Sequence, residues 1–404
     1  MSNVNLDGFN QKLAKRVLLA SVLAVGFGQT ILFAVLAPLG REIGLVEIQI
    51  GAIISASSLT VFLASPFWGR TSDMWGRRKV ILIGLFGYTL GTIVFTSVFK
   101  IALLGWLLPM GAFIALTIAR VANAAVMAAT MPAANAYMAD ITDAATRTKA
   151  MGSIGAASNI GAILGPAVGG LLASFTLLTP IWFSAGLTLV AATVVLFALP
   201  EIPGQKSTIK PPRIKYTDQR ILPFVIVGIV MFMGFAIVQQ TIAFRFQDLL
   251  GLTAAETARF VGIGMMLSAA ASVFTQMVVI PRLDVRPFTL LKIAMPLLIF
   301  AFGMMAVSST QMMLTISMTI QGLGMGLAGP GFMAGASLAV TAKEQGAVAG
   351  VAGSCPPMGF TIGPIVGTTL YTLNPDAPYW FTFGAYILLF IFTMTAKIGR
   401  KVVV

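Results

Sequence analysis

Arg120 lies in "IARVANAAVMAATMPAANAYMADIT" and Arg245 in "VQQTIAFRFQDLLGL", each inside a run of apolar residues. A cation at hydrocarbon depth costs about 2.5–3.5 kcal/mol on insertion scales, so an arginine retained there is expected to have work to do. Two readings are open for Arg245: it faces a cavity and attracts an anionic group, or it pairs with Asp248, three residues on along the same helix face. Arg120 is either such a functional cation at depth, or it snorkels to the outer interface if its span begins later. Gln29, Asn123, Asn159, Gln239, Gln240 and Gln321 are neutral polar groups at comparable depth. Each can line a path or hydrogen-bond a neighbouring helix.

The same inventory removes most enzyme chemistry. There is one cysteine, Cys355, and no histidine, which leaves no disulfide framework, no Cys/His metal site and no histidine-based triad. No phosphate-cradling G-x-x-x-x-G-K-[ST] loop is present, nor H-E-x-x-H or G-x-S-x-G. Asp140 and Asp143 are close in sequence but belong to a span end, where solvated loop acids are the default. The expectation is a protein that is not an enzyme and uses no cofactor and no metal.

The elements that hold these residues are membrane spans. Of 404 residues, 57% are hydrophobic and only 10% charged, and the mean hydropathy is +0.93. Apolar runs of roughly 20 residues, enough to cross a bilayer core of about 30 Å, recur along the chain. Twelve are read, at 17–40, 48–69, 79–99, 110–138, 149–174, 178–199, 222–248, 257–280, 288–307, 311–338, 346–372 and 379–397. An eleven-span count is the competitor, because the apolar character barely pauses near Lys100 and Pro109. The first apolar stretch has no small-residue cleavage site and is expected to stay.

The formal charge of +13 is distributed unevenly. With the N-terminus inside, the two termini and the even-numbered turns collect 21 of the 26 basic residues, while the opposite face keeps Arg41, Lys100 and Arg259. That asymmetry is the positive-inside pattern, so both termini are expected in the cytoplasm of a bacterial inner membrane. The basic residues then meet lipid headgroups and not nucleic acid.

The polar stretch "PEIPGQKSTIKPPRIKYTDQR" splits the chain nearly in half. It predicts a helical bundle over 1–200, a cytoplasmic linker over 201–220 and a second bundle over 221–404. An internal repeat supports the division: "GSIGAASNIGAILGPAVGG" overlays "GVAGSCPPMGFTIGPIVGT" without a gap at an offset of 198 residues. Gly161, Gly165, Pro166 and Gly169 recur as Gly359, Gly363, Pro364 and Gly367, and Pro132 recurs as Pro330. Two similar bodies with corresponding Gly/Pro helices are what alternating access about a midplane site requires.

Between spans two and three runs "FWGRTSDMWGRRKV", with Gly69, Asp73, Gly76, Arg77, Arg78 and Lys79. The two glycines permit close packing and a tight turn, and Asp73 suits a helix N-terminus. This stretch resembles the signature loop of the major facilitator superfamily, and with the spans and the repeat the resemblance covers essentially the whole chain. It implies an all-α membrane protein with twelve helices in two pseudo-symmetric six-helix bundles. It also implies that the loop latches the bundles on the cytoplasmic side, with Asp73 near the start of span eleven when the protein faces outward. The matching stretch of the second half, "VIPRLDVRPF", keeps Arg286 but has no Asp at the corresponding place.

In span five, Gly161, Gly165 and Gly169, with Gly170 beside them, form a smooth face for a neighbouring helix, and Pro166 bends its own. "GAILGPAVGG" resembles the family's antiporter signature, and Arg120 resembles a third motif, an intramembrane arginine used in coupling. The resemblance therefore implies a proton-driven exporter of a small organic molecule, close to the twelve-span drug-efflux branch, acting as a monomer among lipids. The thirteen acidic residues all lie in loops or near span ends, which disfavours exchange of cationic drugs for protons at a mid-depth carboxylate. Proton coupling is then left to Glu42, Asp73, Asp140 or Asp248, or to the cargo itself. The two deep arginines suit an anionic cargo such as a carboxylate siderophore, which is the alternative. Import and a channel-like pore are further readings.

Overall fold

The computed structural model describes residues 11–142, 144–201, 214–283, 285–341 and 344–395, which form thirteen α-helices and no strand. Residues 202–213 of the expected 201–220 linker, both chain ends and the side chain of Asn159 lie outside the described residues. The helices are α1 (Gln11–Glu42), α2 (Glu47–Trp75), α3 (Arg77–Leu103), α4 (Pro109–Met127), α5 (Thr130–Asp140), α6 (Ala144–Leu172) and α7 (Thr179–Ala198). They continue as α8 (Leu222–Leu250), α9 (Ala254–Phe274), α10 (Pro287–Ala306), α11 (Gln311–Leu338), α12 (Gln345–Leu373) and α13 (Ala377–Thr395).

Local chemistry explains the breaks. Helix α3 ends at a turn carrying Gly105 at φ 78°, and α4 restarts with Pro109 in its first turn, where a missing N–H costs nothing. The stretch where an eleven-span count competed is therefore two helices. Pro132 has no N–H to give and crowds the carbonyl four residues back, so α4 and α5 are one crossing, Pro109–Asp140, bent at 128–129. Helix α9 likewise runs through a π-turn (Thr275–Val279) and a 3-10 turn (Ile280–Arg282) around Pro281, making one crossing to Arg282.

Among the described residues, eleven helical stretches are long and apolar enough to cross a membrane. The twelfth crossing is α12, 29 residues long, whose three prolines and many glycines lower its hydropathy. Trp106, Leu108, Phe175, Phe197 and Leu373 stand exposed around the outside, which is where lipid solvates side chains that water would reject. Short connections force successive crossings to alternate in direction. One face of the molecule, called here the terminal face, carries the start of α1, the 69–79 loop and the end of α13. The opposite, far face carries the connections 43–46, 251–253 and 374–376.

The first six crossings, α1–α7, and the last six, α8–α13, build two bundles with matched internal packing. Helix α6 lies along α1 in the first, and α12 lies along α8 in the second. Between bundles, α2 meets α12 and α6 meets α9.

Candidate functional site

The glycines of the repeat set the close approaches inside each bundle. A Cβ on Gly161 would stand 2.8 Å from the backbone nitrogen of Phe27, one on Gly165 2.6 Å from the Phe27 carbonyl, and one on Gly169 2.8 Å from Ile31. In the second bundle Gly359, Gly363 and Gly367 press on α8 at Phe232, Met233 and Ile237 in the same manner. The smooth face expected from the four-residue spacing is thus the face that α1 and α8 occupy.

The opposite faces of α6 and α12 form the seam between bundles. Near the far face, Gly170 packs on Ala258 and Gly262 of α9, and the Pro166 carbonyl is 2.8 Å from where a Gly262 Cβ would be. Its counterpart Pro364 turns its carbonyl on Gly51 of α2, beside Thr368. Eighteen residues is five helical turns, so Gly152 lies on the same face as Gly170, and Gly350 on the same face as Thr368. Yet Gly152, Gly155, Gly350 and Gly353 are exposed, and a Cβ on any of them would meet nothing within 4 Å. The bundles are closed on one another at the far face and stand apart at the terminal face, leaving a cleft open on the terminal side.

Three half-buried rings from both bundles meet about midway along α1, α8 and α12. Phe33 of α1 lies 5.8 Å from Phe360 of α12, and Phe235 of α8 lies 6.1 Å from Phe360, centroid to centroid. Gln29, one turn from Phe33 and half-buried, donates to the Met127 sulfur at 3.7 Å. Gln239 is half-buried, while Gln240 is buried. Gln321 is buried with its Nε2 unpartnered. Asn123 is buried and donates to Thr92 of α3 at 3.3 Å, an interhelical bond, while its Oδ1 has no partner.

Arg120 is only 6% exposed, which removes the snorkelling reading. Its guanidinium lies 5.8 Å over the Phe95 ring and beside the Tyr88 hydroxyl, which itself approaches Ser184 and Thr92. The Nε has no hydrogen-bond partner, and Arg120 is in none of the ion pairs among the described residues. A buried cation supported only by hydroxyls and a ring face retains unspent capacity for an anion.

Arg245 does not pair with Asp248. Its Nη2 forms an ion pair with the Asp376 Oδ1 at 2.6 Å and donates to the Ser308 carbonyl at 3.2 Å, because this helix face looks onto the connections that follow α10 and precede α13. Arg245 therefore has a counter-ion near the far face in this structure, while its buried Nε has no hydrogen-bond partner. Asp248 instead accepts from Arg41 of α1 at 2.5 and 2.9 Å and from the Tyr371 hydroxyl at 2.7 Å. Arg41, Glu47, Tyr371 and Asp376 were not among the residues expected to matter. The signal available was that Arg41 is one of few cations on a face otherwise poor in them.

At the terminal face, Gly76 is the single residue between α2 and α3 and reverses the chain at φ 98°, with Glu201 where a Cβ would point. Gly69 carries no such demand, since a Cβ there would meet only Pro132 at 3.8 Å; the expected close packing at Gly69 is absent. Arg77 is buried between Ser72 and Asp73 on one side and Asp140 on the other, donating to Asp140 at 3.0 Å. Asp140 is accordingly a structural acceptor, not a solvated loop acid. Arg78 donates to the Leu196 carbonyl, Lys79 is exposed, and Asp73 stays largely exposed, bonded to Arg77. Among the described residues, Asp73 has no hydrogen bond or ion pair with the start of α12. That start is held within its own bundle, where Arg220 grips Glu344 at 2.9 Å and holds its carboxyl down to about 2.

The family model of the Major Facilitator Superfamily matches residues 18–307. Multidrug resistance protein 2 of Bacillus subtilis (strain 168) is 27% identical over 391 residues, 94% of this chain and 93% of that one. Multidrug resistance protein 1 of the same strain is 28% identical, over 90% of this chain and 91% of that one. Among solved structures, the nucleoside transporter NupG superposes with a TM-score of 0.73 at 16% identity, covering 96% of this chain and 98% of that one.

Proposed function

Because the chain belongs to the major facilitator superfamily and is a multi-pass integral membrane transporter, we propose that it exports small organic molecules, drug-like compounds included, across the inner (plasma) membrane by alternating access. The observation that carries this is the cleft itself. It is open on one face and closed on the other, and Phe33, Phe235 and Phe360 from both bundles meet about midway along their helices. The relatives named multidrug resistance proteins support the cargo class. In this reading the moving bodies are 1–200 and 221–404, joined by 201–220, and the terminal face with both termini is cytoplasmic. The cleft in this structure therefore faces the cytoplasm, as loading by an exporter requires.

The proton gradient is the proposed driving force. No carboxylate stands at mid-depth, so in this reading the proton is carried by one of the span-end acids Glu42, Asp73, Asp140 or Asp248, or by the cargo's own carboxylates. A second reading, export of an endogenous anionic metabolite such as a carboxylate siderophore, is favoured by one observation: Arg120 is buried and lacks a counter-ion. Proteoliposomes under an imposed pH gradient, offered a lipophilic aromatic cation and a polycarboxylate, separate the two. Gradient-dependent movement of the cation supports the first reading and movement of the polycarboxylate the second. Movement of neither under any gradient overturns proton-driven export.

A further inference from the structure

Helix α12 carries two prolines in a row, Pro356 and Pro357, three and four residues after Gly353. An α-helical carbonyl accepts from the N–H four residues on, and in a tightened turn from the one three residues on. Neither proline has an N–H, so the Gly353 carbonyl can form neither bond. The Pro357 ring also crowds that oxygen and tilts it away from the helix axis. The hydroxyl next along the helix is engaged elsewhere: Ser354 donates to the Val351 carbonyl at 2.6 Å and accepts from Tyr216 at 3.0 Å. The repeat puts Gly155, Ser158 and Asn159 at the matching places of α6, where both N–H groups are present. The tandem break belongs to α12 and not to the shared repeat.

Gly353 is exposed, and nothing lies within 4 Å of where its Cβ would stand. Phe360 is seven residues on, two turns and roughly 10 Å further from the terminal face, and Pro364 is one more turn along the same side. That side looks toward the first bundle. Phe360 lies 5.8 Å from Phe33 of α1, and the Pro364 carbonyl is 2.7 Å from where a Gly51 Cβ would be. Helical carbonyls point toward the C-terminal end, so the Gly353 oxygen is directed along this side toward the cluster of Phe33, Phe235 and Phe360.

A carbonyl without its helical partner, set above three aromatic rings, is the complement of an ammonium group on an apolar ring system. We propose that the Gly353 carbonyl, freed by Pro356 and Pro357, accepts the N–H of protonated primary or secondary amines carried on a lipophilic aromatic scaffold. The proposal rests on the export reading and narrows its cargo. It also gives a cation site that has no mid-depth carboxylate a fixed partial negative charge, one that no protonation removes.

The test is calorimetric titration of the purified full chain in detergent at neutral pH, with naphthylethylamine, its N,N,N-trimethyl counterpart and naphthylacetate. Aromatic rings alone favour the trimethyl cation, which sheds its water more readily, so a preference for the primary ammonium requires an acceptor. Pro357→Ala gives position 357 an N–H that closes the α-helical bond to Gly353, and removing a proline from a helix interior does not endanger folding. The parent is expected to bind the primary ammonium more tightly than the trimethyl cation. Pro357→Ala is expected to lower the ratio of the two affinities about tenfold, the low end of what a hydrogen bond from a charged donor supplies, with trimethyl binding unchanged. Pro364→Ala alters the same helix but leaves the Gly353 carbonyl free, and is expected to keep the parent's ratio. The same ratio in parent and Pro357→Ala overturns the proposal, as does an equal fall in Pro364→Ala, which assigns the effect to helix shape. Binding of neither cation by the parent, or tighter binding of naphthylacetate, also overturns it. Titration needs no gradient, so loss of proton-driven export in vesicles with this preference intact sinks the export reading alone.

Discussion

Arg77, at the first position of α3, donates to Asp140 at the last position of α5, 3.0 Å away and 63 residues further on. The pair pins the 69–79 loop to the first bundle, and Arg77 also holds Asp73 without burying it. Two aspartates therefore share one arginine but are exposed to very different degrees, and that difference separates their roles.

Arg77→Ala strands the Asp140 carboxylate, whose side chain is 16% exposed. Breaking a buried pair costs about 3–5 kcal/mol, so the thermal midpoint of the purified protein in detergent should fall by several degrees. Asp73→Asn should leave that midpoint within about 0.5 kcal/mol of the parent, as surface substitutions do, yet cripple transport. Wild-type flux in Asp73→Asn excludes a role for its charge in the cycle.

Arg120 offers a second separation. Arg120→Ala should abolish cargo-dependent flux. Arg120→Lys keeps the charge but loses the planar fork, and should restore flux only in part. Equal flux in both variants and the parent shows that the buried guanidinium, with its Tyr88 neighbour, serves packing alone.

The glycine faces make a paired prediction about stability. Gly165→Ala drives a methyl to 2.6 Å from the Phe27 carbonyl, and Gly363→Ala to 2.7 Å from that of Met233. Overpacking of this kind costs about 1–3 kcal/mol. Gly155→Ala and Gly353→Ala meet nothing within 4 Å and should be neutral in thermal unfolding. If they instead impair flux while leaving stability intact, that reports contact across the cleft when its terminal side closes.

Glu344 gives a pH signature. Arg220 and Thr341 hold its carboxyl at about 2, below the ordinary 4.5. A carboxylate depressed in the folded protein contributes its stabilisation fully above the unfolded value and loses it as pH falls toward the folded one. The difference in thermal midpoint between parent and Glu344→Gln should be constant above about pH 5 and vanish between about 4.5 and 2. A difference that persists at pH 2 assigns the effect to packing at the start of α12 and not to charge.

Much of the molecule is local, and so was legible in the residue string. Span length follows from apolar runs against the bilayer core, helix ends follow from Pro109, Pro132 and Gly76, and the repeat follows from matching Gly and Pro. Each of these is fixed by neighbours within a turn or two. The choice of ion partners is not. Asp248 lies three residues from Arg245 but takes Arg41, 207 positions away, while Arg245 takes Asp376. The choice depends on which helix ends come together at the far face, and that is set by how two bundles lean on one another. The same holds for the cleft. The sequence alone determined two similar helical bodies with small-residue seams, and only the tertiary arrangement decided that these seams are shut at Gly51 and Gly262 and parted at Gly152 and Gly350. A rigid-body tilt changes contacts between bundles while leaving every local hydrogen bond and helical register intact.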